Sequence, residues 1–292
     1  VSLDITHGNP RYNRYVGVYS LLKKIQPDII YHEDDPISLQ AVQYGIWCFL
    51  NNKKLICRTN QNTPIGFKDE IGRLGILKGI FYASLKLILC AATRRLVDHV
   101  FAISNDGVNV CRTLGYQNVT KIPLGFDEEI FHICDQTRQR IRKDLGIDGV
   151  VFSYIGRVIE GKGLHILLEA LSMMKHHKWT LLLDDFLRPN QTEYQHRIVE
   201  QIDYLGLKDR VIFFKADHKE ISNYMNASDV VIVPSITTAN FKEQYGRVAP
   251  ESMACGCLVI ASDSGTLPEL VGQAGWVFEE GNVTELESLL VK

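Results

Sequence analysis

Apolar and polar positions alternate along this chain in two registers. Short β-branched runs are followed by longer stretches in which apolar residues recur every three or four positions, the pattern of strands and helices around parallel sheets. In the first half it predicts a helix at 15–24, a strand at 29–32, a helix over 38–50, a strand at 54–58 and one long helix over 72–95. A strand at 99–103, a helix after Ser104 and a strand at 119–122 follow; Ser104-Asn105-Asp106 offers N-cap chemistry for that helix. The stretch 123–149 is rich in charge and reads as a passage between domains, with a short helix at 136–145. The second half predicts strands at 150–155, 180–183, 211–214, 230–233 and 258–261, and helices at 163–175, 192–205, 220–225 and 247–255. The expectation is an α/β protein of two parallel-sheet domains, 1–125 and 126–292, with ligand held in the cleft where such domains meet.

Composition narrows this picture modestly. With 292 residues, 46% apolar and 23% charged, the chain can bury two ordinary cores, and its net charge of −2 gives no global argument for nucleic acid or an anionic membrane. Charge is uneven, however: residues 51–100 hold nine Lys/Arg against three acids, a surplus of six that suits either an anionic surface or a solvated helix face. Seven cysteines, an odd number scattered through apolar runs, point to packing thiols in a reducing, cytoplasmic setting. Cys255 and Cys257 straddle Gly256 at a helix end and read as packing residues, so no metal site is expected. Leu74, Leu77, Phe81, Leu85, Ile88 and Ala92 recur at helical spacing. They read as domain core, the alternative being a helix lying on an anionic bilayer.

Two constellations carry chemistry. In the first, a buried strand runs into Gly156 and Arg157, then Glu160-Gly161-Lys162-Gly163 before a helix. A guanidinium and an ammonium at the C-terminal edge of a parallel sheet suit a diphosphate, or are two surface cations at an ordinary turn. In the second, Glu243-Gln244-Tyr245-Gly246-Arg247-Val248-Ala249-Pro250-Glu251 follows the strand at 230–233. Pro250 fits the first turn of a helix, so the amides of Gly246, Arg247 and Val248 face outward as an anion site, with Glu243 before the helix and Glu251 in its first turn. Neither half has G-x-G-x-x-G after a strand, which disfavours an NAD dehydrogenase.

Glu243 and Glu251 with Tyr245-Gly246 between them resemble the E-x7-E signature of retaining GT-B glycosyltransferases, family 4 (glycosyltransferase group 1). Ala227–Ser235, Met253–Asp263 and Gly265–Val271 are similar to that family's flanking segments, as are Ile155–Gly163 and Ile122–Asp127; the similarity runs from about Val97 to Phe278. The resemblance implies two Rossmann-like domains facing a cleft, and transfer of a hexose from a UDP- or GDP-sugar to a glycan or lipid-linked acceptor. It further implies retention, no cofactor and no metal. Arg157 and Lys162 would offset charge on the departing diphosphate, Glu243 would hold the sugar hydroxyls, and Glu251 the ribose hydroxyls, beside Gly156 and the amides at 246–248. Where many relatives place a histidine the chain has Gln61 and Asn62, which contact sugar or acceptor or form a plain polar turn. His32-Glu33-Asp34-Asp35 ends a strand, its acids serving an acceptor or capping the next helix.

The chain departs from the family's pattern at both ends. No glycine-rich opening βα unit precedes the first helix, and no closing helices follow residue 292, so a sequence truncated at both ends is expected. Asp184-Asp185-Phe186-Leu187 stands where glycines are common. A nucleotide-sugar 2-epimerase and a non-catalytic nucleotide-binding remnant are the alternative readings.

Overall fold

The computed structural model describes residues 2–4, 10–187, 190–239 and 241–292, which form two compact units, 1–124 and 125–292. In the first unit, β1 (Ser2–Asp4) pairs antiparallel with β2 (Arg14–Val16) ahead of α1 (Val18–Ile25). A four-stranded parallel sheet then runs in sequence order: β3 (Ile29–His32), β4 (Lys54–Thr59), β5 (His99–Ala102) and β6 (Val119–Lys121). Its helices are α2 (Leu39–Leu50), α3 (Phe67–Leu74), α4 (Ile76–Thr93) and α5 (Asn105–Thr113). Ser38 and Ser104 cap α2 and α5, each hydroxyl accepting a backbone N–H three residues on, because those first-turn donors have no carbonyl in reach.

Two expectations need correction here. The single long helix is two, since Gly75 adopts φ 80° and turns the chain between α3 and α4. Most of the apolar stripe assigned to the core faces out: Leu74, Leu77, Phe81, Ile88 and Ala92 are exposed and only Leu85 packs against the core, while Gly79, Ala83, Lys86, Leu89, Cys90 and Thr93 form the buried face. Lys86 is tolerated there because its ammonium meets the Glu70 carboxylate of α3 at 2.6 Å. A buried ammonium needs such a counter-charge, and the seam between the two helices supplies it.

The second unit opens with α6 (Asp135–Asp144), then β7 (Val150–Tyr154), α7 (Leu164–Met173), β8 (Trp179–Asp184), α8 (Glu193–Tyr204) and β9 (Val211–Phe214). After these come α9 (Ile221–Ala227), β10 (Val230–Val233), α10 (Val248–Ala254), β11 (Leu258–Ser262), α11 (Leu267–Val271), β12 (Trp276–Phe278) and α12 (Val283–Leu290). All six strands are parallel, in the order β9-β8-β7-β10-β11-β12. Counted from β7 this is 3-2-1-4-5-6, the doubly wound Rossmann order, whose connections reverse direction between β7 and β10. Strand cores are apolar on both faces, as burial by helices on each side requires: Leu181, Leu182 and Leu183 are all fully buried.

The passage 123–149 is no loose linker at its far end. Asp229 accepts from Arg138, Arg142 and the Val151 N–H, and Arg142 also donates to the Ala227 carbonyl at 2.8 Å. Burial alone would raise the Asp229 pKa, but these donors hold it below its ordinary value. They fasten α6 to the second unit.

Removing one charge of the buried α3–α4 pair tests its role. Glu70→Gln should lower the urea unfolding free energy by about 3–5 kcal/mol, whereas Glu70→Leu with Lys86→Met should recover most of that loss.

Candidate functional site

The reversal between β7 and β10 opens a crevice at the C-terminal ends of those strands, where open α/β sheets bind ligands. Both sequence constellations arrive there. Beyond β7, Gly156 has φ 146° and Arg157 is exposed; the Tyr154 hydroxyl, on a buried ring, donates to the Arg157 carbonyl at 2.9 Å and holds the turn. Beyond β10 the chain passes through buried Pro234 and Ser235 toward Glu243.

The two loops lock together. Ile236 N–H donates to the Gly161 carbonyl at 2.9 Å, and Lys162 Nζ meets Glu243 Oε2 at 2.5 Å. The Ser235 hydroxyl donates to the same Glu243 oxygen at 2.9 Å, and Ser262 Oγ, from the end of β11, donates to the Ser235 carbonyl at 2.5 Å. Glu243 is 5% exposed, so its charge is sustained by these donors rather than by water. Gly163 caps α7 with φ 67°, and a Cβ there would lie 1.8 Å from the Pro234 carbonyl oxygen. Gly265 (φ 58°) plays the same part for the other flank, where a Cβ would stand 1.9 Å from the Glu243 carbonyl oxygen. Each glycine therefore marks a place where two loops meet backbone to backbone.

Gly246 (φ 68°) and exposed Arg247 lead into α10. Helical bonding begins with Ala249 N–H to the Gly246 carbonyl, and among the described residues nothing accepts from the N–H groups of Gly246, Arg247 or Val248. Glu251 lies in the first turn, 9% exposed, and among the described residues no donor bonds its carboxylate. Burial pushes its pKa above the ordinary 4.5, only partly offset by Arg247 and His218. Two acids eight residues apart thus sit in opposite states, Glu243 paired with a cation and Glu251 buried without a hydrogen-bond donor among the described residues.

The sequence reading set Arg157 and Lys162 on one diphosphate, the guanidinium as a fork and the ammonium as a point charge. The structure separates them: Arg157 has no ion-pair partner among the described residues, while Lys162 is committed to Glu243 and lies 5.4 Å from the Phe241 ring centroid. Ser235, Ser262 and Phe241 carry the arrangement, yet sequence reasoning gave them no role. A serine directly after a buried strand and a proline was the available signal. In the loop after β8, Phe186 turns into the core against Phe213 and Asp185 accepts the Leu187 N–H at 2.8 Å.

In the first unit, the Gln61 side chain folds back onto Thr63, donating to its carbonyl at 2.8 Å and its hydroxyl at 2.9 Å; Asn62 is buried. These are the bonds of a polar turn. Asp35 accepts from Arg11 and Thr59, and Ser38, not an acid, caps α2.

The family model described as glycosyl transferases group 1 matches residues 137–292. Lipopolysaccharide 1,2-N-acetylglucosaminetransferase of Salmonella typhimurium is 28% identical over 159 residues, which cover 52% of this chain and 40% of that protein. D-inositol 3-phosphate glycosyltransferase of Geodermatophilus obscurus is 33% identical over 187 residues, 60% of this chain and 36% of that protein. The chain thus spans well under half the length of these curated relatives. Among solved structures, Anabaena HepE in complex with UDP superposes with TM-score 0.72 at 24% identity, covering 94% of this chain and 71% of that one. A HepE complex with UDP-glucose gives 0.68 at 25% identity, covering 94% and 71%. The α/β fold with two Rossmann-like halves is therefore shared with glycosyltransferases.

The raised Glu251 pKa fixes a sign. The folded state holds the proton more tightly than the unfolded chain, so ionisation costs stability in full above the raised folded pKa, and the cost shrinks as pH falls from there toward 4.5 and is gone below it. Glu251→Gln should be more stable than the native protein at pH 7.5 and indistinguishable from it near pH 4, as read by urea unfolding at the two pH values.

Proposed function

The chain belongs to the group 1 glycosyl transferases, and on that premise we propose that it moves a hexose from a UDP- or GDP-sugar to a glycan or lipid-linked acceptor, with retention and without a metal. The observation that carries this reading is the crevice between β7 and β10. There an exposed guanidinium, a lysine–glutamate pair, three amides and a buried carboxylate, the guanidinium without an ion-pair partner and the amides and carboxylate without hydrogen-bond partners among the described residues, gather at one sheet edge.

Each group then has a task that its geometry suits. Negative charge accumulates on the diphosphate as its bond to the sugar breaks. Arg157 is exposed and available to grip it, and the amides of 246–248 add fixed donors at the positive end of α10. Lys162 contributes positive potential to the same place while holding Glu243 in one rotamer. Glu243, fixed by Lys162 and Ser235, presents its remaining lone pairs to sugar hydroxyls. Glu251 takes the ribose hydroxyls as the donors its carboxylate lacks, which repays the burial that raises its pKa. The likeness to HepE in its complexes with UDP and with UDP-glucose supports a uridine donor for this chain.

Calorimetric titration with UDP and GDP tests the site. One nucleotide should bind, and Glu251→Ala and Arg157→Ala should each weaken it roughly tenfold to a hundredfold, the loss of one or two charge-assisted hydrogen bonds. Binding unchanged in both variants would move the site elsewhere. Release of free nucleoside diphosphate together with a glycoside would establish transfer; an isomeric sugar nucleotide as product would establish epimerisation.

A further inference from the structure

The helix pair α3–α4 is built inside out. On α4, Leu77, Phe81 and Ile88 fall at i, i+4 and i+11, one meridian of the helix, and are 85%, 62% and 66% exposed. Ile76 and Ile80 flank them, and Phe67 of α3 adds to the same apolar exposure. The opposite meridian, which packs on the unit, carries Gly79, Ala83, Cys90 and Thr93, the Lys86 ammonium and, of the large apolar residues, Leu89. A helix that needed only a core would put its large apolar residues where Gly79, Ala83 and Lys86 stand. Scattered surface leucines need no explanation, but a continuous band of large apolar residues on one helix does.

We propose that this face lies on the surface of an anionic lipid bilayer. Three observations choose that occupant. The described charged residues exposed on α3 and α4, Lys68 and Lys78, are both cationic, and Arg94 and Arg95 are exposed where α4 ends. Cations beside a band of leucine, isoleucine and phenylalanine are the composition that binds acyl chains and acidic headgroups together. A second copy docked on the same face by two-fold symmetry would bring the cations of the two copies into one contact, which repels. Although α4 is 18 residues long and apolar enough to cross a membrane, the Lys86–Glu70 pair and the packed inner face hold it on the first unit, so it rests in the interface plane. The assignment stands independently of the nucleotide site, and it gives a lipid-linked acceptor a route to the protein.

Sedimentation of the full chain with vesicles tests it, using phosphatidylcholine alone and phosphatidylcholine mixed with phosphatidylglycerol. The protein should pellet with the anionic vesicles and much less with the neutral ones, and added salt should weaken the binding. Leu77→Ser with Phe81→Ser should reduce anionic-vesicle binding about tenfold or more. Lys68→Glu with Lys78→Glu should reduce it about fivefold or more. All these residues are exposed, so both variants should keep the native unfolding midpoint and native nucleotide affinity, which separates this surface from the crevice at β7 and β10. Failure to bind anionic vesicles, or binding untouched by either pair of substitutions, overturns the proposal. So does a concentration-dependent dimer in ultracentrifugation that the serine pair abolishes, which would assign the face to a second copy.

Discussion

The loops after β7 and β10 touch backbone to backbone, and the rest of the candidate site depends on that contact. Gly163 meets the Pro234 carbonyl, Ile236 bonds to Gly161, and the Lys162–Glu243 pair closes over both. Parallel strands leave their C-terminal ends diverging where the winding reverses, and a crevice forms there whatever the sequence. What this sequence adds is a clasp across it. Glu243 is positioned by a residue from each of the two loops, with the end of β11 steadying Ser235 behind it. Rotamer freedom is therefore removed before any ligand arrives, which is what a preorganised electrostatic site requires.

The two glutamates illustrate how one environment can satisfy one acid and frustrate another. Glu243 is the more buried, yet its charge is matched by an ammonium and a hydroxyl. Glu251 sits at a favourable helix end, but desolvation outweighs the help from Arg247 and His218. Stability left on the table at such a position is commonly the mark of a group kept for a ligand.

Much of this architecture was legible in the residues. The strands at 29–32, 211–214 and 230–233 were readable to the residue because β-branched runs bounded by turn formers admit few alternatives. The two motifs were legible as local spacing. The clasp was not, since Lys162 and Glu243 are 81 positions apart and only the strand order brings them together. Elements α11 and β12, five and three residues long, are too short for any period to register. The α4 stripe failed differently: periodicity gave the meridian correctly but not its sign, because an almost wholly apolar helix has two plausible inner faces. The deciding fact, Glu70 waiting for Lys86, belongs to another helix.

The anchoring of α6 bears on how the second unit can be cut free. The family match begins at residue 137, yet the fold begins earlier. Asn226, a buried residue of α9, accepts the Cys134 N–H and donates to the His132 carbonyl, and the Phe131 ring is almost wholly enclosed by the same core. A fragment excised at the family boundary would take the Cys134 N–H from the Asn226 amide oxygen and leave a phenylalanine-sized hole beside Met225 and Cys255. Started at Gly125 instead, the piece carries its own lid.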